Sequence, residues 1–491
     1  MKYTLRPYQK DSINKLHDLY YNNRRIVLVS PTGSGKTVIA AKIIESAVNS
    51  MNNKVLFLAH RRELINQCSA KLDEIGIDHG IIMSNHPRSR PNSYVQVASV
   101  QTLLNRQPPK ADFIIIDECH RSLADSYKQI VDQYPNIPVL GLTATPWRGD
   151  GRGLGLFYEE MLVVSQVKDL IEEGFLLDPT VHIPHIPDLH NVKVVGGDYV
   201  DTELEKIMNQ RMLNRQIIAD WCSITPGRKT VLFACTVDHS LEMVKAFNDA
   251  GVSAEHLDCN TSTEERDAIL KRLQTGQTTL VSNVGVLTEG WDLPELECVL
   301  LARPTKSLSL YMQMVGRGMR PHESKADTIV IDHAGCTQEH GLVTINRKFD
   351  LEGEHVKQAP AYSLCPNCMR ISKSGRICDV CGCTSRPRFV NITREEVKTA
   401  GDEVFMPRCN KCESINLVDV SVSNSVKLTH GRPSRCRNCG YVTFLRRFSS
   451  YSADQSAMHL EFQKLKQIAQ EASYGKDWPK FKFYEIFDRW P

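Results

Sequence analysis

The sequence predicts an α/β protein: two tandem parallel-sheet lobes followed by small four-cysteine elements. Three observations lead there. Short apolar runs alternate with segments of helical apolar spacing up to about residue 165 and again from about 216 to 350, the pattern of parallel strands covered by helices. A glycine-rich turn joins strand to helix once, in the first block. Nine of the 16 cysteines fall within residues 365–439, most of them in Cys-x₂-Cys pairs. The expected organisation is a first lobe over 1–165, a connection over 166–215, a second lobe over 216–350, cysteine elements over 351–450, and a tail over 451–491 that packs on them.

A chain of 491 residues has room for roughly three domains at ~150 residues each. Its longest apolar runs, Phe113–Ile116 and Val299–Ala302, are far too short to span a bilayer. The opening MKYTLRPYQK lacks the apolar core of a signal peptide, so an intracellular protein with no membrane partner is expected. The net charge of +3 says little, but its distribution says more. Residues 361–450 hold 15 Lys/Arg against 7 Asp/Glu, a basic excess that suits either a solvated surface or a nucleic-acid contact face.

The first lobe centres on SPTGSGKT, residues 30–37. It lies between the apolar run Ile26–Val29 and a helical pattern through Val38, Ile39, Ile43, Ile44 and Ala47. Thr32, Gly33, Ser34 and Gly35 form a turn whose backbone N–H groups can converge on a phosphate, helped by the positive end of the helix that follows. Lys36 can reach the β- and γ-phosphates of ATP, and the Thr37 hydroxyl can hold Mg²⁺. The loop opens with Ser30 where the general pattern has Gly. Upstream, Gln9 in LRPYQ has an amide able to pair with an adenine edge, although a surface glutamine is the commoner case. His60 and Arg61 stand at the end of the strand Lys54–Ala59, where they suit a nucleic-acid backbone about as well as a polar helix start. Ser99, Gln101 and Thr102 follow another strand and could touch phosphate or sugar. Phe113–Ile116 runs into Asp117-Glu118-Cys119-His120. Two acids at the end of a buried strand are costly without a cation, which points to Asp117 as a Mg²⁺ ligand and Glu118 as the base for the attacking water. His120, with Thr143 and Thr145 of the next strand end, could couple nucleotide to nucleic acid.

In the second lobe, Val286–Asp292 follows a strand, and Gln313–Arg320 reads QMVGRGMR. Arg317 and Arg320, spaced i and i+3, are expected on one helix face, from which they would reach the γ-phosphate across a cleft. No second phosphate loop occurs, so this lobe should complete the first lobe's site.

The glycine-rich loop, DECH, TATP and QxxGRxxR, in this order, resemble the motor of superfamily 2 helicases. The match is closest to the RadD/YejH-like DNA helicases of bacteria and their phages, on LRPYQ at 5–9, VASVQTL at 97–103, DECHR at 117–121, GLTATPWR at 141–148 and RPTKSLSLYMQMVGRGMR at 303–320. DEAD-box RNA helicases fit less well, because the acidic motif is DECH and the last motif begins with Gln313. The resemblance implies two RecA-like lobes, ATP hydrolysis stimulated by DNA, and a bacterial or phage-infected cytoplasm. It also implies roles for residues that spacing alone does not assign: Asp292 at the nucleotide, Thr236 and Thr288 at the nucleic acid, and Gln313 in coupling. The DNA would be single-stranded, forked or branched, with a recombination or single-strand-binding protein as a further partner and a monomer as the working form.

After the motor, Cys365, Cys368, Cys378 and Cys381 make one four-thiolate set, and Cys409, Cys412, Cys436 and Cys439 make another. Paired Cys-x₂-Cys knuckles suit two structural Zn²⁺ ions. Cys383 could replace Cys381. Two functional readings share these motifs: an ATP-driven DNA helicase or translocase, and an ATP-switched DNA-binding accessory module that leaves duplexes intact.

Overall fold

The computed structural model describes residues 4–148 and 151–353, together with the backbone of five short strands farther on. Two compact units divide the chain near residue 361, and the first contains both lobes. Lobe 1 is built on β1 (Arg25–Val29), β2 (Val55–Ala59), β3 (His79–Ile82), β4 (Val95–Ser99), β5 (Phe113–Asp117), β6 (Val139–Thr143) and β7 (Glu160–Val163). They form one seven-stranded sheet in the order β3-β4-β2-β5-β6-β1-β7, and every pairing is parallel. The apolar strands are buried on both faces, as a helix-covered parallel sheet requires. One face packs Ile39, Ala40 and Ile44 of the helix Lys36–Met51 against Ile26, Leu28 and Phe57. The other sets Val27, Val29, Leu56 and Leu58 against Tyr127, Ile130 and Tyr158.

Lobe 2 repeats the plan with β8 (Pro179–His182), β11 (Thr230–Phe233), β12 (Ala254–Leu257), β13 (Leu280–Asn283), β14 (Cys298–Leu301) and β15 (Thr328–Asp332), in the order β12-β13-β11-β14-β15-β8. All of its pairings are parallel too. The first strand of this sheet comes from the segment expected to be a connection. Pro179–His182 runs beside β15, with Pro179 opposite Thr328; an edge position tolerates a residue with no N–H to donate. The same segment carries the hairpin of β9 (Val194–Val195) and β10 (Asp198–Tyr199), turned by Gly196-Gly197 as read from the sequence. It ends in the helices Asp201–Met208 and Arg211–Ile224. Trp221 of the last helix is buried, donates its indole N–H to Thr230 Oγ1 (2.8 Å) and meets the Phe247 ring edge-on at 5.5 Å.

The chain crosses between lobes twice. After β7 it passes through the helix Val167–Glu172 into β8. After β15 and the helix Cys336–His340 it returns to lobe 1. There Phe349 and Leu351 join the lobe 1 core, and Trp147 donates its indole N–H to the Asp350 carbonyl (3.1 Å). Gly153 has to be glycine, since a Cβ there would lie 2.0 Å from the Leu351 carbonyl oxygen. Among the described residues no helix is long and apolar enough to cross a membrane.

In the second unit, Ser363–Leu364 pairs antiparallel with Ile371–Ser372. Leu417–Asp419, Arg432–Cys436 and Val442–Leu445 form an antiparallel three-stranded sheet. Cys365, Cys368, Cys378, Cys381, Cys409, Cys412 and Cys439, the alternative ligand Cys383 and the tail over 451–491 lie outside the described residues. Cys436 closes a strand described by backbone alone.

Trp221→Ala removes a buried ring and its hydrogen bond to Thr230 Oγ1, which keeps its own bond to the Arg228 carbonyl (2.8 Å); for an aromatic in a core such a change costs about 3–5 kcal/mol. Denaturant unfolding should show lobe 2 melting earlier than in the parent.

Candidate active site between the lobes

The loop between β1 and the helix Lys36–Met51 is held from three sides. Gly33 and Gly35 have φ of +84° and +88°, which only glycine adopts without strain. Ser34 donates to the Pro31 carbonyl (2.7 Å) and accepts from Ser30 Oγ (2.7 Å), so the Ser30 that departs from the usual glycine braces the loop. Behind it, Tyr8 Oη and Gln9 Nε2 both donate to the Ser34 carbonyl, at 2.6 and 2.9 Å. A Cβ at Gly35 would lie 2.6 Å from Gln9 Nε2. Gln9 is buried and its Oε1 accepts from the Arg6 backbone N–H (3.0 Å). Both ends of the amide expected at the adenine are thus engaged by the protein. Beside it, the Arg6 guanidinium lies 4.3 Å from the centre of the Phe175 ring.

Lys36 Nζ donates to the Ser30 and Pro31 carbonyls at 3.0 and 3.4 Å. These loop oxygens take the hydrogen bonds that phosphate oxygens would take. Burial pulls the ammonium's pKa below the usual lysine range, against the opposing pull of Glu118 and Asp117. Asp117 ends β5 and accepts the Glu118 N–H at 3.0 Å. Burial, then the adjacent Glu118 carboxylate, push Asp117 up to about 7. Burial also acts to raise Glu118, but the His120 hydrogen bond and the Lys36 charge outweigh it and leave the acid below its ordinary range. Glu118 has φ +48°. His120 Nδ1 lies 3.3 Å from both Glu118 Oε2 and Thr143 Oγ1, and Thr143 donates to the Thr145 carbonyl at 2.7 Å. A buried acid with a raised pKa beside a ready-made phosphate cradle fits Mg²⁺ carried in with a nucleotide. Asp117 and Thr37 would hold it, and it would supply charge neutralisation at the phosphates.

Lobe 2 closes the site. The helix Leu308–Gly316 ends one residue before Arg317, so the two arginines do not share a helix face as expected. Gly318 abuts β15 and β14; a Cβ there would lie 2.7 Å from Thr328 Oγ1 and 3.0 Å from Val299 Cγ2. The chain leaves the helix at this point. Arg317 is buried and donates to the carbonyls of Trp291 and Thr288 (2.7 Å to Thr288), and Arg320 pairs with Asp292. Asp292 therefore serves an arginine here. Burial pushes both guanidinium groups down to about 10, which leaves them charged at neutral pH. A Cβ at Gly33 would lie 3.4 Å from Arg320 Cγ, and one at Gly316 only 2.7 Å from Thr32 Cβ. The QxxGRxxR segment thus rests directly on the phosphate loop. Gln313, on the same helix, is buried, and its Nε2 has no hydrogen-bond partner among the described residues.

The residues expected at nucleic acid sit along the strand ends. Arg61 donates to the Gly285 carbonyl (2.7 Å) and its Nε lies 3.0 Å from Glu289, with His60 Nε2 2.9 Å from the same carboxylate. Ser99 donates to Gln101 Oε1 (3.0 Å), and Thr102 is half-buried in the helix that follows β4. Thr236 caps the helix Val237–Asp249, and Thr288 is buried and donates to the Gly285 carbonyl at 3.3 Å. Sequence reasoning passed over Glu289. Its only signal there is its place in TEGWD, since a loop carboxylate reads as solvated.

Residues 2–148 match the family model described as type III restriction enzyme, res subunit, and residues 210–322 match the helicase conserved C-terminal domain. A 51.5 kDa protein of a Lactococcus phage is 30% identical over 366 residues, which span 72% of this chain and 77% of the phage protein. The chain belongs to the superfamily 2 helicases. A Saccharomyces cerevisiae protein assigned as the ATP-dependent helicase IRC3 is 34% identical to this helicase over 357 residues, 68% of the chain. The chain spans about half the length of that relative, 52%. The structure of the ATP-dependent type ISP restriction-modification enzyme LlaBIII bound to DNA shares the helicase's two-lobed fold. Its TM-score is 0.53 at 19% identity, covering 67% of this chain and 28% of the enzyme.

Gly35→Ala would place an alanine in left-handed backbone, at a cost of about 1–2 kcal/mol, and drive its Cβ onto Gln9. Nucleotide affinity should fall on the order of tenfold in a fluorescent-nucleotide titration. Gly227→Ala, at φ +74° with open space around it, is the control for strain away from the loop and should leave that affinity unchanged.

Proposed function

We propose that this chain is an ATP-driven DNA motor of the RadD/YejH-like kind, whose ATP hydrolysis is stimulated by nucleic acid. The observation that carries this reading is the placement of Arg317 and Arg320 against the phosphate loop, opposite the buried pair Asp117 and Glu118. In that arrangement Lys36 binds the phosphates, and Glu118 takes a proton from the attacking water. The two arginines stabilise charge on the transferring phosphoryl group. The relay Glu118–His120–Thr143–Thr145 carries the state of the nucleotide towards β6. His60, Arg61, Ser99, Gln101, Thr102, Thr236 and Thr288 form the nucleic-acid track on the strand ends, and closing and opening of the lobes moves the chain along one strand. DNA, not RNA, is favoured by the restriction-enzyme family match and by the DNA in the LlaBIII structure. A role in recombination, repair or branched-DNA processing, in a bacterial or phage-infected cytoplasm, follows the RadD/YejH resemblance.

The cysteine sets complete the proposal as two structural zinc ribbons. Support comes from the strand pattern around them. Cys365 and Cys368 fall in sequence between the paired strands Ser363–Leu364 and Ile371–Ser372. Cys436 ends the strand Arg432–Cys436, and Cys439 falls in sequence between it and its antiparallel partner Val442–Leu445. Antiparallel strands flanking a Cys-x₂-Cys knuckle suit a ribbon.

Steady-state ATP hydrolysis, measured without nucleic acid and with single-stranded, duplex and forked DNA and RNA, should rise several-fold with single-stranded or forked DNA. Lys36→Ala and Glu118→Gln should each abolish it, by a factor of at least ~100. Full turnover in either variant overturns the assignment of the site, and stimulation by RNA alone overturns the DNA reading. Elemental analysis of the purified chain should find about two zinc ions; fewer than about one removes the ribbons.

A further inference from the structure

The loop Thr288–Asp292 carries one residue that the hydrolytic scheme does not use. Glu289 belongs to lobe 2, yet the basic side chains around its carboxylate belong to lobe 1. His60 Nε2 lies at 2.9 Å, Arg61 Nε at 3.0 Å and Arg121 Nη2 at 3.7 Å. The residue is only 3% exposed. A carboxylate buried to that degree is tolerated only with opposite charge beside it, so its environment exists only while the lobes are together. The surrounding contacts press the same loop onto lobe 1. Gly290 has φ +71°, and a Cβ there would lie 2.4 Å from Glu63 Cβ. Glu63 in turn pairs with Arg266 of lobe 2, and Arg62 donates to Thr263 Oγ1 at 3.3 Å.

What Glu289 joins decides its role. On the lobe 1 side, His60 and Arg61 open the proposed nucleic-acid track, and Arg121 follows directly after Asp117–His120. On its own side, the carbonyls of Thr288 and Trp291 hold Arg317, and the side chain of Asp292 holds Arg320. One five-residue loop therefore grips both arginines through its backbone and its last side chain. Through Glu289 it grips lobe 1. The carboxylate against His60 and Arg61 and the groups that hold both guanidiniums thus sit on one loop.

We propose that Glu289 is a positioning residue for ATP hydrolysis: it ties docking of the nucleic-acid face of lobe 1 to delivery of Arg317 and Arg320 to the nucleotide. It touches neither nucleotide nor water, and it acts through the arginines. The proposal rests on the motor reading above. It predicts an effect on turnover with little effect on nucleotide binding, because the phosphate cradle of Lys36, Gly33 and Gly35 lies wholly in lobe 1.

The test is steady-state ATP hydrolysis by the full chain with saturating oligothymidylate as the nucleic acid, ATP being titrated for Glu289→Gln, Glu289→Ala and Glu289→Asp. The glutamine and alanine variants should both lose kcat by up to about 100-fold, the cost of misplacing a catalytic group by about 1 Å. KM for ATP should move less than about twofold, since ground-state binding is spared. Glu289→Asp keeps the charge and should recover part of the rate, which a packing role would not. Melting temperatures near the parent's are expected for Glu289→Gln. Parental kcat in Glu289→Gln overturns the proposal, as does a rise in its rate without oligothymidylate, which would make the contact a restraint. So does an aspartate variant no better than alanine. A parent without Lys36-dependent hydrolysis sinks the motor reading and this proposal with it, whereas a hydrolysing parent matched by Glu289→Gln sinks the proposal alone.

Discussion

Charge buried between the two lobes is the constraint on which the structure turns. Asp117, Glu118, Glu289 and Arg317 are all buried, and Glu289 and Arg317 would carry a large desolvation cost without the opposite lobe's charge beside them. Lys36 of the same lobe supplies counter-charge to Glu118 and in part to Asp117, which burial still raises, whereas Glu289 and Arg317 find theirs across the cleft. Glu289 of lobe 2 is surrounded by His60, Arg61 and Arg121 of lobe 1. Arg317 of lobe 2 feels Glu118 across the cleft as well as Glu289 beside it. Excluding water from this layer strengthens every Coulombic interaction within it. In a cleft of this kind small displacements have large energetic consequences.

The two sheets exist to present that layer. In a parallel sheet all carboxyl ends of the strands face one edge, where loops can carry chemistry without disturbing the core. In lobe 1 that edge carries the phosphate loop after β1, His60 and Arg61 after β2, Glu118 after β5 and Thr145 after β6. In lobe 2 it carries Thr236 after β11 and Thr288–Asp292 after β13. The chain links the lobes twice, once through 164–178 and once through the return of 345–353, where Gln166 and Arg347 exchange two backbone–amide hydrogen bonds of 3.0 and 3.2 Å. Two strands of connection close together leave hinge-like motion as the easy direction and make sliding of one lobe past the other costly.

The sequence made the motor legible where chemistry and pattern coincide. The phosphate loop, the apolar strand ending in two acids, and most strands of the two sheets stand out because continuous apolar runs end abruptly at polar residues. β3, β7, β8 and β15 did not: His79–Ile82 is short and mixed, Glu160–Val163 follows the strand that reads as the last of lobe 1, Pro179–His182 is opened by a proline in a segment that reads as a linker, and Thr328–Asp332 follows the arginine motif with no motif of its own. The arginines were expected on a helix because spacing of i and i+3 suits one, but the contact of Gly318 with β14 and β15 is a tertiary fact invisible to spacing. Gln9 reads as a free amide until its two backbone partners are seen. Glu289 is the clearest limit. Nothing local marks a loop glutamate for burial, and only the docking of two lobes distant in sequence brings two arginines and a histidine to it.

Backbone strain at Glu118 fits the same scheme. Three non-glycine residues among the described ones have left-handed backbone, and two of them, Asn52 and Asn85, are of the type that tolerates it. Glu118, at φ +48°, is the exception. A glutamate there gives up about 1 kcal/mol or more relative to extended or helical backbone. The conformation ends β5 sharply and starts the short helical turn Cys119–Arg121. Because of that turn His120 comes back to within 3.3 Å of Glu118 Oε2 while also reaching Thr143 on β6, and Arg121 comes within 3.7 Å of Glu289. An extended residue at 118 would carry the chain away from all three. The strain is therefore what brings the expected water-activating acid, its hydrogen-bonded relay and the interlobe ion cluster together within four consecutive residues.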